Sequence, residues 1–207
     1  MKKIIYFLEF ILVKFFFIIF KAIGYRSASS LGFFIGTRFG NIFRKKKSII
    51  NNLEKSKIPI KYDKNKFAQN VLGNYGRILA EYPFLKDFRQ NKLEKYIEID
   101  GEKNLKKIKD NKKPIVFISG HFNNFELMAM QIEKSGINLA TIYRPLNNIF
   151  LNKSMEHIRT SYICRHQIKK GRAGTRQILE NLKKGNSIAL MIDQRVTEGI
   201  KINFFED

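Results

Sequence analysis

The spacing of apolar positions changes character twice along the chain. From Ile4 to Ile23, "IIYFLEFILVKFFFIIFKAI", apolar residues are almost continuous, and as a helix this run is about 30 Å long, the thickness of a hydrocarbon core. Glu9, Lys14 and Lys21 interrupt it. A charge near the bilayer centre costs about 2.5 to 3.5 kcal/mol. A spanning or deeply inserted helix is the favoured reading, and it competes with a helix lying in the interface and with a core helix. The next stretch, "SASSLGFFIGTRFGNIF", repeats glycine at Gly32, Gly36 and Gly40. That gives either a smooth helix face for close packing or a flexible segment. Residues 48 to 92 then take helical spacing, with Phe67, Val71, Leu72, Tyr75, Ile78, Leu79 and Tyr82 on a core-facing pattern that Pro83 ends. A short strand around Tyr96 to Ile99, a turn at Asp100-Gly101 and a basic amphipathic helix follow.

From Pro114 the pattern becomes strand and helix in alternation. Strands are expected over Ile115–Ser119, Leu139–Tyr143 and Ile188–Ile192, with helices over Asn124–Ser135, Asn148–Ser161 and Gly174–Lys184. Helices of this length between short apolar strands indicate βαβ units and an α/β fold with a largely parallel sheet flanked by helices. Ligands of such sheets gather at the carboxyl ends of the strands. His121, Arg144 and Asp193 each fall within two residues of such an end, so the three converge on one rim. The expected organisation is a membrane-anchoring helical segment over residues 1–43 and an α/β domain over 44–207. The final "GIKINFFED" opens an element without closing it, as a chain missing its carboxyl-terminal part would.

Charge narrows the partners. With 39 Lys+Arg against 18 Asp+Glu, the net charge is +21, which calls for an anionic partner: nucleic acid, anionic lipid or an acidic protein. The run "RKKK", Arg44 to Lys47, suits an anionic lipid surface. No nucleic acid is expected, because the bases are dispersed and no nucleic-acid motif is present. A single cysteine, Cys164, excludes an intramolecular disulfide framework, and no Cys/His spacing of the zinc type occurs. Neither cofactor nor metal is expected.

The candidate chemistry lies in "GHFNNFE", Gly120 to Glu126. The strand ends at Gly120, His121 sits in the turn, and Asn123 with Glu126 three positions on also matches a capping box. Glu126 then either caps the helix or accepts a hydrogen bond from one imidazole nitrogen, leaving the other basic. In the second case His121 takes the proton of an alcohol attacking a thioester, with no serine or cysteine nucleophile. Cys164 lacks a nucleophile-elbow motif.

"GHFNNFE", followed in order by "TIYRPLNN", "HIRTSY", "GRAGTRQILENLKKGNSIALMIDQ" and "INFF", resembles the lipid A late acyltransferases, lauroyl and myristoyl transferases within the wider glycerolipid acyltransferase-like group. The upstream apolar segment, the basic run and "IINNL" at Ile49 to Leu53 fit that layout too. The resemblance implies that His121 and Glu126 form a catalytic H-x4-E dyad, with Arg159 and Asp193 also required, and that Arg144, Asn147 and, as a weaker match, Arg172 position substrate. It implies a bacterial inner-membrane enzyme facing the cytoplasm, with acyl carrier protein as donor and an anionic glycolipid, a lipid A precursor, as acceptor. A lysophospholipid or another glycolipid is the alternative acceptor. An inactive truncated relic and a membrane-tethered nucleic-acid binder are the remaining alternatives. Glu206 and Asp207 stand where the family has glycine after its paired phenylalanines.

Overall fold

The computed structural model describes residues 2–56 and 63–193. Two long helices open the chain, α1 (Lys2–Ile23) and α2 (Tyr25–Phe43). They are followed by α3 (Lys46–Lys55), α4 (Lys64–Glu81), the short α5 (Leu85–Arg89) and α6 (Glu102–Asn111). The alternating half comprises β1 (Val116–Ser119), α7 (Phe125–Lys134), β2 (Leu139–Tyr143), α8 (Ile149–Ile158), β3 (His166–Lys169), α9 (Arg172–Lys183) and β4 (Ser187–Met191). Among the described residues all pairings are parallel, in the order β1-β4-β2-β3, so the fold is α/β as the alternation indicates. β3, "HQIK", carries too few apolar residues to announce itself. The strand expected around Tyr96–Ile99 is absent; Glu94–Tyr96 forms a 3-10 turn instead.

Alternation along the strands divides the sheet between two apolar layers. Leu139 and Ala189 face the main core with Met130 and Ile132 of α7. Ala140, Ile168 and Ile188 face the other way, against Ile178 and Leu182 of α9. The main core continues without a break into the first helices through Phe17, Phe20 and Ala28. The first two helices therefore share their interior with the α/β half.

The glycine repeat is a packing face. α2 and α4 approach so closely that a Cβ on Gly76 would lie 2.1 Å from the Gly32 carbonyl oxygen, and one on Gly36 would lie 2.4 Å from that of Leu72. Only glycine lets two helix backbones meet at this separation.

α1 corrects the expectation of a membrane-crossing helix. Among the described residues no helix is long and apolar enough to cross a membrane. The physical reason lies in the charges that interrupt the run. Glu9 accepts a hydrogen bond from Asn148 Nδ2 at 2.8 Å, and the same nitrogen donates to the Tyr6 carbonyl, also at 2.8 Å. Lys21 pairs with Asp87. Phe7 and Phe10 pack on Phe150. One side of α1 is thus committed to protein along most of its length.

The α2–α4 contact sets opposing expectations for Gly76→Ala. In an open helix this change stabilises by up to about 1 kcal/mol through helix propensity, whereas an added methyl in a packed contact costs about 1 to 3 kcal/mol. At 2.1 Å from a backbone oxygen the clash wins. We expect the thermal midpoint to fall, and a rise would mean that the helices do not approach this closely.

Candidate functional site

The site follows from strand order. β1 and β4 are neighbours with Ser119 opposite Met191, so the chains leave the sheet in step. Two residues further on in each, His121 and Asp193 meet. Asp193 makes two bonds to one residue: its Oδ2 accepts from the His121 backbone N–H at 2.7 Å and its Oδ1 lies 2.7 Å from His121 Nδ1. Gly120 keeps the turn uncrowded, since a Cβ there would sit 3.2 Å from Asp193 Oδ2 and 3.1 Å from the Phe122 ring. The imidazole rests edge-on against Phe125, with 4.5 Å between centroids.

Partial burial of Asp193 opposes its charge. The backbone N–H of His121, its ring N–H and the ring's charge outweigh that and hold the carboxyl below the usual carboxylate range. A lowered carboxylate pKa means that the acceptor is charged at any pH above the ordinary value of about 3.9. Its contribution is lost only as pH falls through the lowered value. An anionic acceptor at Nδ1 favours a proton on that nitrogen.

Beside this pair lies a second group. Glu126, in the first turn of α7, is buried. Its Oε1 accepts from Arg159 Nε at 2.8 Å and from the Tyr82 hydroxyl, and the Arg159 guanidinium also reaches Tyr82 Oη at 3.0 Å. Burial disfavours the Arg159 charge, but Tyr82 and Glu126 outweigh it and push its pKa up. Burial and then Glu126 push the Tyr82 phenol far above its ordinary range, so it stays a hydrogen-bond donor. Arg159 opens a π-helical turn, Arg159–Ile163, that ends α8, an irregularity frequent at functional sites.

Two sequence expectations meet a different geometry here. The carboxylate on His121 Nδ1 is Asp193, whereas the acceptor oxygen of Glu126 serves Arg159 and Tyr82. The helix cap is not Asn123, which has φ +41, but Asn124, whose side chain makes no capping bond. Arg144 and Asn147 follow β2 and Arg172 begins α9, so all three stand at carboxyl ends of strands, and all are exposed. They take no part in the hydrogen bonds that build the His121 or Glu126 groups. Asn148, next to Asn147, is the buried cap of α8, accepting from the Phe150 and Leu151 amides at 3.1 Å.

Tyr82 and Glu81 were not legible as site residues. Tyr82 fits the apolar helical pattern and reads as core. The available signal was an acid inside an otherwise apolar helix end, "ILAEYPF", since a buried carboxylate needs polar partners. Cys164 is buried, donates to the Leu139 carbonyl at 2.9 Å and has its thiol pushed up to about 11 by burial, which removes it as a nucleophile. "INFF" and the glycine departure at Glu206 and Asp207 lie outside the described residues. A depression of about 230 Å³ lined by Arg89, Glu133 and Arg165 opens at the amino ends of β2 and β3, away from the rim.

Comparison with individual curated proteins returns no match. The model of one family, bacterial lipid A biosynthesis acyltransferase, matches residues 1–207, the whole chain. The parallel sheet, the rim and its paired acids and bases therefore belong to a member of the bacterial lipid A biosynthesis acyltransferases.

Proposed function

We propose that this acyltransferase moves a fatty acyl group from an acyl carrier protein thioester to a hydroxyl of a lipid A precursor at the cytoplasmic face of the bacterial inner membrane. His121 acts as general base. The observation that carries the reading is the pair of bonds from Asp193 to His121, which orient the ring. Nε2 takes the proton of the acceptor hydroxyl as its oxygen attacks the thioester carbon. The C–S bond breaks, the thiolate leaves and takes the proton back from the imidazolium, and an ester and a free carrier thiol result. Transfer is direct, in keeping with the inert Cys164.

Arg159, held charged by Glu126 and Tyr82, supplies the positive charge next to the rim where negative charge develops on the thioester oxygen. Arg144, Asn147 and Arg172 stand exposed around it, suited to the phosphates of an anionic glycolipid or to the acidic carrier.

The membrane contact is the free side of α1. Ile4, Leu8, Ile11, Phe15 and Ile18 are exposed at spacings of three and four and so lie on one face. Lys3 and Lys14, eleven residues apart, fall in a row beside that face. Leu146 and Ile149, next to the rim, are exposed as well. An apolar face bordered by bases lies in the plane of an anionic lipid surface. The opposite side of the helix remains on the protein.

Four outcomes test this reading. His121→Ala lowers kcat by at least about 10²- to 10⁴-fold, and near-normal turnover by a folded variant would remove the proposal. Asp193→Asn removes the charged acceptor at Nδ1 and lowers kcat by a similar factor with a changed pH profile. Were Glu126 the partner of the ring, Glu126→Gln would change the profile and Asp193→Asn would not. Treatment with N-ethylmaleimide at pH 7 leaves turnover intact, because the thiol of Cys164 is buried and protonated; inactivation at Cys164 would point to an acyl-enzyme. The double substitution Ile11→Glu with Phe15→Glu abolishes co-flotation with vesicles rich in anionic lipid while leaving the circular dichroism unchanged. Undiminished flotation would rule out this face.

A further inference from the structure

The turn that carries His121 is held at only one end by Asp193. At its other end stands Asn124, and the strain lies between them: Asn123 has φ +41, a left-handed conformation uncommon for a residue with a side chain. Such a conformation persists only where surrounding bonds fix it. The bond that fixes this one comes from an unexpected place. Asn124 Nδ2 donates to Glu81 Oε2 at 2.9 Å, and Glu81 is buried at the end of α4. The other oxygen of Glu81 accepts from Ser29 Oγ of α2 at 2.7 Å. Burial and then the charge of Glu81 push the phenol of Tyr25, also on α2, up to about 12. The side chain of Asn124 makes no capping bond to the helix it begins. The next residue, Tyr82, bonds Glu126. Consecutive residues at the end of α4 thus grip the His121-to-Glu126 segment at two points.

We infer that Glu81 is a positioning residue for catalysis: its carboxylate, anchored on α2 through Ser29, fixes the Asn124 amide and thereby holds the strained turn that aims His121 at the acceptor hydroxyl. The inference rests on His121 being the base. Glu81 does not touch substrate. It transmits the rigid α2–α4 contact to the turn, so that catalytic geometry is set by the helical layer as well as by the sheet. A displacement of a reacting group by about 1 Å is enough to cost about 10²-fold in rate.

The contact permits a test by exchange. Asn124→Asp sets a carboxylate against Glu81 and turns a bond into a repulsion. Adding Glu81→Gln supplies an amide that donates to this new carboxylate, so the double variant restores the bond with donor and acceptor reversed. Each variant is assayed well below its thermal midpoint, beside His121→Ala. Asn124→Asp lowers kcat by about ten- to a hundred-fold, with KM for both substrates within about two-fold. The double variant recovers to within a few-fold of the native enzyme. A second readout is independent of turnover. The rate of His121 carbethoxylation by diethyl pyrocarbonate, followed by peptide mass spectrometry with exposed His157 and His166 as references, changes several-fold in Asn124→Asp and returns in the double variant. A purely structural role for Glu81 would lower the thermal midpoint while leaving kcat and the His121 rate untouched.

The inference is overturned if Asn124→Asp has native kcat and native His121 reactivity, or if the double variant is no closer to the native enzyme than the worse single variant. If His121→Ala retains turnover, the proposed reaction fails instead, and the carbethoxylation rates still decide whether Glu81 holds the turn.

Discussion

The structure depends on one strand pairing. β1 and β4 lie side by side in register, Ser119 against Met191, and the residues that follow the two strands meet as His121 and Asp193. Because the pairing is parallel, both strands deliver their next residues to the same edge. A slip of one residue would turn every side chain to the other face of the sheet and part the imidazole from its carboxylate. The apolar alternation of β4, Ile188 toward α9 and Ala189 toward α7, guards against that slip. Core packing and the meeting of His121 with Asp193 are therefore two results of the same constraint.

Around that pairing the helices act as supports at different depths. The glycine contact locks α2 to α4, and α4 ends in Glu81 and Tyr82, which face the turn and the first residues of α7. α8 enters on a cap that is itself bonded to α1 and leaves through the π-helical turn that bears Arg159. Charges that would burden a lipid-immersed helix are thus engaged with protein groups.

The sequence made the local elements readable because period and burial are local. Three strands and the helices between them follow from apolar runs and their spacing, and the end of β1 at Gly120 marks where a ligand-facing turn begins. His121, Asp193, Glu126 and Arg159 were recognisable as polar residues in the right places and as matches to a family pattern. Their partnerships were not. Which carboxylate meets the ring depends on the order β1-β4-β2-β3, a long-range choice with no signature at either position, and the nearer acid in sequence is the wrong guide to the Nδ1 bond. Tyr82 was hidden by its apolar ring, which satisfies the helical pattern whatever its hydroxyl does. β3 was hidden by its polar composition, and α1 read as a lipid-immersed helix because pattern alone cannot show that one side of it is already taken.

Gly120 gives the site a size limit. A carbon at the Cβ position would sit 3.2 Å from the Asp193 carboxylate and 3.1 Å from the Phe122 ring, so both neighbours would have to give by a few tenths of an ångström. The smallest alteration available to a protein, one methyl group, would therefore press on the acid that meets the imidazole while leaving both side chains in the molecule.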